Sequence, residues 1–240
     1  MAQGFVRDGA HVVGIARSAG ELASLATETN SDRLQTDIVD LADDEAVWAW
    51  SKRVLARHGR VDVLVNNAAI LELEPFHAMT MGDFDRTMTI NLRGAVLCTR
   101  AFIGAMREAG RGSIINVGSA ASYKGFLQET HYCAAKFALE GFSEALAIEA
   151  RTYNVAVNRL TPGYLIKPTS LTLEQAAATA REVRGRWQDP ERMIDAFTYL
   201  ALQCGSGVTG YRFDAFALAE RVRAGGWERQ YRPEDLAQVV

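Results

Sequence analysis

Apolar positions along the chain follow two rhythms. Short runs of consecutive apolar residues alternate with longer stretches in which apolar residues return every three or four positions. The runs at 11–16, 33–39, 61–65, 113–117, 155–160 and 208–216 read as strands. The stretches between them carry helix punctuation. Residues 1–10 read as the last turns of a helix ending at Gly9. Ser18 and Glu21 form a capping box that opens a helix to about Thr29. Asp40, with Asp43, Asp44 and Glu45, suits the amino end of a helix running to His58, with Gly59 as its carboxyl cap. Further helical patterns cover 81–109, closed by Gly110, then 130–153, the Ala- and Arg-rich 171–186, and 190 to about 203.

Strands separated by helical stretches of this length predict right-handed βαβ crossovers. The expected fold is α/β: a doubly wound, Rossmann-like parallel sheet with helices on both faces. Residues 1–240 read as a single domain, with 164–188 a mobile substrate-side segment and 217–240 a polar C-terminal tail containing Trp227.

Composition narrows the function classes. The 240 residues, 48% of them hydrophobic, suffice to bury one full α/β core. The net charge of −3, with no long Lys/Arg run, leaves no electrostatic footprint for nucleic acid or an anionic membrane, so a small-molecule partner is expected. No apolar run approaches the roughly 18 residues of a membrane span, and residues 1–10 lack a charged segment followed by an apolar one. A soluble, cytoplasmic protein is expected. Cys98, Cys133 and Cys204 are too few and too scattered for a disulfide framework or a metal cluster, and no metal site is expected. Cys133 stands beside His131, but helical neighbours point about 100° apart, and packing accounts for the thiol.

The chemistry gathers between Ser119 and Lys136. Ser119 follows the 113–117 run, at the carboxyl end of a strand, where open parallel sheets bind ligands. Tyr132 and Lys136 are four apart on the next helix, hence on one face and one turn from each other. A tyrosine of ordinary pKa about 10 is a poor base at neutral pH, and a neighbouring ammonium favours its phenolate. A tyrosine so poised can exchange a proton with an alcohol or a ketone oxygen, and Ser119 would orient that oxygen. Any amphipathic helix can carry a Tyr-x-x-x-Lys pair. A serine thirteen residues upstream, on a Gly-Ser after an apolar strand, makes the pattern more specific.

With these three residues the chain resembles the short-chain dehydrogenase/reductase family, whose catalytic serine, tyrosine and lysine match Ser119, Tyr132 and Lys136 position by position. Asn91 matches the family's helix asparagine, which holds a water linked to the lysine. Asn66-Asn67-Ala68-Ala69 resembles its Asn-Asn-Ala-Gly turn, which implies that Asn67 and Ala68 lie by the adenosine side of the cofactor; read alone, these residues suit any turn. Asp37 and Ile38 resemble the Asp-Val pair that meets the adenine, with a helix cap as the alternative for Asp37. Pro162-Gly163 resembles the turn beside the nicotinamide, with the backbone near Leu165 as the carboxamide contact. Lys167 stands where the family usually carries threonine. Phe126 and Tyr164 are candidates to line an apolar pocket. Arg17 follows 11–16 where an acid would select NAD, so NADP is expected, with NAD as the alternative and a surface arginine as the plain reading.

Two departures stand out. The family's closing Asp-Gly-Gly is Asp214-Ala215-Phe216 here. The glycine-rich loop of dinucleotide folds lies about 20 residues before the ribose-reading position, which falls before Met1. The corresponding first strand would lie between 11–16 and 61–65, so the sheet is expected to lack it and to leave two inner edges unpaired. Met1 is then an internal methionine of a longer enzyme, or the chain is a short product that holds no dinucleotide well. The resemblance implies hydride transfer between NADP(H), or NAD(H), and a secondary alcohol or ketone, in a homodimer or homotetramer paired through the helices of Asn91 and Tyr132. The rival expectation is a non-catalytic Rossmann-like oligomeric or regulatory protein.

Overall fold

Polar side chains start and stop the helices. The computed structural model describes residues 1–163, 166–167, 170–171 and 173–232. It begins with α1 (Ala2–Arg7), turned by Gly9 at φ +93° into β1 (Val12–Ala16). Ser18 accepts the Glu21 backbone N–H at 3.2 Å and opens α2 (Ala19–Thr29), which leads to β2 (Leu34–Ile38). Asp43 accepts from the Ala46 N–H at 3.0 Å to cap α3 (Asp44–His58), and β3 (Val63–Asn66) follows.

The 81–109 stretch is two helices rather than the single one its apolar period predicts. α4 (Met81–Met88), begun by a reciprocal Thr80–Asp83 capping box, passes into a π turn over Thr89–Arg93 before α5 (Gly94–Ala109). The π turn holds one residue more than an α turn, and Asn91 within it bonds the backbone of Ile70. That contact comes from a distant loop, and local periodicity does not register it.

Next come β4 (Gly112–Val117), α6 (Thr130–Ala150) and β5 (Val155–Thr161). The single helix expected over 171–186 is two short ones, α7 (Leu173–Ala178) and α8 (Arg181–Arg184), separated where Ala180 turns extended. A 3₁₀ turn at Pro190–Met193 leads into α9 (Ile194–Ala201), then β6 (Arg212–Asp214) and α10 (Ala215–Gly225).

The C-terminal part departs most from expectation. The strand expected over 208–216 is only three residues long, because Thr209 and Asn158 bind its first half by side chain. Thr209 Oγ1 accepts from Val157 N at 2.9 Å, and Asn158 bonds Val208 O at 2.8 Å and Tyr211 N at 3.2 Å. The described part of the expected polar tail, residues 217–232, packs on the core. Asp214 caps α10 by accepting from Ala217 N at 2.9 Å, and Ala215, Leu218, Ala219 and Val222, at helical spacing, are fully buried. Tyr231 is buried too, donating to the Arg221 and Gly226 carbonyls at 2.9 Å each.

All strand pairs are parallel. β1 pairs with β2, and β3-β4-β5-β6 form a second ladder in that order, with a seam between β1 and β3 among the described residues. Neighbours on β4 point to opposite faces, so Ile114 joins Val47, Trp50, Phe102 and Met106 on one side while Ile115 joins Leu160, Leu200, Phe213 and Leu218 on the other. Parallel pairing brings the carboxyl ends of the strands to one edge.

Leu218→Ala is expected to cost about 3 kcal/mol, whereas Leu202→Ala, on the exposed end of α9, costs less than about 0.5 kcal/mol. Urea denaturation followed by circular dichroism measures both, and a cheap Leu218→Ala would show that α10 is not part of the core.

Candidate active site

β4 stops at Val117 and Gly118 carries the chain past β5, donating to the Leu160 carbonyl at 3.0 Å. Ser119 then opens a 3₁₀ turn over Ala120–Ser122. Its hydroxyl oxygen accepts from Ala121 N at 3.2 Å, while its own N–H donates to Ser122 Oγ at 3.1 Å. Because Ser119 Oγ accepts within the turn, its proton is left to donate outward.

α6 supplies the next two groups. Tyr132, 5% exposed, packs in a small apolar cluster with Ala121 and Cys133, against Ala69, Leu71 and Phe126. One turn later Lys136, 2% exposed, donates from Nζ to the Val117 carbonyl at 2.9 Å, with Nζ 5.8 Å from the Tyr132 ring centre. The ammonium thus ties α6 to the end of β4. Burial pushes Lys136 down from 10.5 to about 8, against a smaller upward push from Glu140.

Asn91 stands in the π turn that packs against α6. Its amide accepts from Ile70 N at 2.7 Å and donates to Ile70 O at 2.8 Å, which fixes the loop after β3. Asn91, Ser119, Tyr132 and Lys136 are therefore gathered at the carboxyl ends of β3 and β4.

The other candidate residues lie at or just after the carboxyl ends of β1, β2, β3 and β5. Arg17 is exposed just after β1, and Ile38, 65% exposed, ends β2. Asp37 accepts from Gln35 Nε2 at 2.8 Å; the cap of α3 is Asp43, so Asp37 caps no helix there. Asn67 and Ala68 are exposed past β3, while Asn66 before them is structural, donating to Asn116 Oδ1 at 2.8 Å and Thr99 Oγ1 at 3.1 Å. Pro162 and Gly163 leave β5, with Gly163 at φ +66°. Tyr164 and Leu165 lie outside the described residues. Lys167 donates to the Leu171 carbonyl at 2.5 Å. Open parallel sheets bind ligands at such strand ends.

Sequence reading passed over three residues near this edge. Glu140, one turn beyond Lys136, meets Arg159 of β5 at 3.1 Å, and Ser122 hydrogen-bonds the Glu140 carboxylate. Their signal is present but faint: an arginine within an apolar strand and a glutamate at i+4 from a lysine. His131 is 1% exposed, and Cys133 packs beside Tyr132 with its thiol 3.8 Å from the Lys124 carbonyl. Among the described residues no group of three or more His, Cys, Asp or Glu is placed to hold a metal ion, and no helix is long and apolar enough to cross a membrane.

The profile of the short chain dehydrogenases matches residues 1–178. The chain is 31% identical to L-xylulose reductase of Bos taurus, over 84% of this chain and 83% of that protein. It is 30% identical to D-threitol dehydrogenase of Mycolicibacterium smegmatis, over 88% and 83%. Among solved structures, a metagenomic short-chain oxidoreductase in complex with NADP superposes with a TM-score of 0.72 at 29% identity, covering 88% of this chain and 89% of that one. A short-chain dehydrogenase from Streptomyces avermitilis gives 0.75 at 29% identity, covering 93% and 88%. With its parallel sheet and its Ser-Tyr-Lys constellation, the chain belongs to the short-chain dehydrogenase/reductase family of oxidoreductases.

Proposed function

We propose that the protein catalyses reversible hydride transfer between NADP(H), with NAD(H) as the alternative, and a secondary alcohol or ketone. One observation carries the reading: Tyr132 and Lys136 lie buried one turn apart beside Ser119, at the edge where parallel strands end. The relatives named L-xylulose reductase and D-threitol dehydrogenase, and the solved relative in complex with NADP, support it.

The nicotinamide, when bound, accepts or supplies the hydride. The protein's own groups handle the proton. Tyr132 gives its hydroxyl proton to a ketone oxygen in reduction and takes it back in oxidation. Lys136 favours the phenolate through its charge and holds the nicotinamide ribose. Ser119 donates to the substrate oxygen. Asn91 holds the relay water; its side-chain amide is already engaged with Ile70, so its backbone carbonyl is the group assigned to that water. Arg17, Asp37 and Ile38 with Asn67 and Ala68 hold the adenosine end, and Pro162, Gly163 and Leu165 the nicotinamide end. Residues 164–188 form the substrate side. The assembly is a homodimer or homotetramer through α5 and α6, whose outer faces line a cavity of about 410 Å³ between Val96, Ile103, Arg107, Phe142 and Leu146. We place the protein in the cytoplasm.

A second reading, a non-catalytic Rossmann-like partner protein, draws support from the seam between β1 and β3. Cofactor titration separates the two readings. The full chain should bind NADPH, seen as enhanced nicotinamide fluorescence, and reduce ketones. Tyr132→Phe should lose turnover by at least about 10³-fold with NADPH affinity nearly unchanged. Retained turnover would remove Tyr132 from its role, and a wild-type chain that binds neither cofactor would favour the second reading.

Arg17→Glu should weaken NADPH binding about tenfold or more and leave NADH binding little changed. Equal losses for both cofactors would assign Arg17 to the surface.

Lys136 gives a further expectation with a definite sign. Its folded value of about 8 lies below its ordinary 10.5, so between these the unfolded chain binds more protons and stability rises with pH. Below pH 8 the burial cost is present in full, up to about 3 kcal/mol. Lys136→Met should therefore lose turnover yet gain about 1 kcal/mol of stability at pH 7, once the lost bond to the Val117 carbonyl is subtracted, and this gain should vanish toward pH 10.5. Urea denaturation at the two pH values measures it; destabilisation at pH 7 would contradict the burial cost.

A further inference from the structure

Glu140 sits where three parts of the molecule meet. Its Oε2 lies 3.1 Å from Arg159 Nε on β5 and 3.8 Å from Arg212 Nη1 on β6, and its carboxylate accepts from the Ser122 hydroxyl. Ser122 in turn accepts the backbone N–H of Ser119 at 3.1 Å. Arg212 stacks over the ring of Tyr123, 4.5 Å from its centre, at the far end of the same turn. The Ser119 turn is thus held at its start by Glu140 through Ser122, and at its finish by an arginine that also faces Glu140. Gly118 keeps the junction open: a Cβ there would stand 2.9 Å from Thr161 Oγ1, 3.3 Å from Glu140 Oε1 and 3.4 Å from Ser122 Oγ.

A stabilising ion pair is a weak account of this arrangement. Glu140 and Arg159 side chains are 12% and 6% exposed. Burial pushes the carboxyl up and the guanidinium down, each more strongly than its partner pushes back. What the geometry gives instead is contact with both catalytic elements. Glu140 is one helical turn from Lys136, on the same face of α6, and it is the group opposing the burial of that ammonium.

We propose that Glu140 is a positioning residue of the catalytic set: it orders the Ser119 turn through Ser122 and places a negative charge one turn from Lys136. This rests on the oxidoreductase reading above. The charged and titratable groups around it are Lys136 and Glu144 on its own helix, Arg159 on β5, Arg212 on β6 and Tyr123 on the turn. Glu144 meets Arg159 Nη1 at 3.3 Å and is mostly exposed, which leaves Glu140 as the buried anion of the group.

The test is done on the full chain carrying ¹³C-labelled lysine, with the Lys136 signal assigned by its loss in Lys136→Met. Glu140→Gln keeps the shape and an acceptor for Ser122 but removes the charge. It should lower the Lys136 titration midpoint by about one pH unit, and lower kcat about tenfold with KM for the ketone nearly unchanged. Glu140→Asp should return the midpoint to near the wild-type value, since the charge is restored. Ser122→Ala should lower kcat with no change in midpoint. A Lys136 midpoint that stays in place in folded Glu140→Gln overturns the proposal whether or not the enzyme turns over. An unchanged kcat in Glu140→Gln overturns it as well. Absence of NADPH-dependent turnover in the wild type strikes the oxidoreductase reading itself, while the midpoint still decides whether Glu140 governs the charge of Lys136.

Discussion

Lys136 carries an ammonium to a place almost closed to water, and much of the surrounding order follows from accommodating it. An ion in that position needs a hydrogen-bond acceptor, and the Val117 carbonyl supplies one at 2.9 Å because β4 ends there. The bond sets the height of α6 on the sheet. Once α6 is so placed, Tyr132 lies one turn back, over the apolar floor of Ala121 and Leu71, and Ser119 comes off β4 beside it. The same helix presents Glu140 to Arg159 on the other side. A neutral residue at 136 would lose the bond to the Val117 carbonyl, at a gain in stability but with no cation to favour the phenolate.

A buried polar chain gives the sheet side of this arrangement its register. Asn66 on β3 donates to Asn116 on β4 at 2.8 Å, Asn116 donates to Ser143 on α6 at 2.8 Å, and Ser143 donates to the Leu139 carbonyl at 2.5 Å. Each link is satisfied, so the chain costs little and fixes two strands and a helix together. A slip of β4 by one residue would turn Asn116 to the opposite face and break two links at once.

Much of this was legible along the sequence, where a signal and its consequence lie close together. Ser18, Asp43 and Gly59 mark helix ends through their own side chains or backbone freedom, and the structure places the ends there. Tyr132 and Lys136 reveal their common face by spacing alone. Legibility fails where the cause lies far along the chain. The π turn at Asn91 answers to Ile70, twenty-one residues away, and helical periodicity runs straight through it. β6 is cut short by bonds from Asn158, some fifty residues upstream. α10 carried a readable pattern in Ala215, Leu218, Ala219 and Val222, obscured because apolar residues on either side of Asp214 also suit a strand. Glu140 and Arg159 look unremarkable singly, and only the packing of α6 on β5 brings them together.

The two faces of the sheet also differ in when they can form. The face containing Ile114, Val157, Trp50 and Phe102 draws wholly on the first 157 residues. The opposite face closes over Ile115 and Leu160 only with residues 193–222 and Tyr231, which are synthesised after β4 and β5, so those strands are made before their cover. On the ribosome, then, the protein passes through a half-clad stage in which one side of β4 and β5 is wet and adhesive. The clasp of Tyr231 on α10 fastens the side that is clad later.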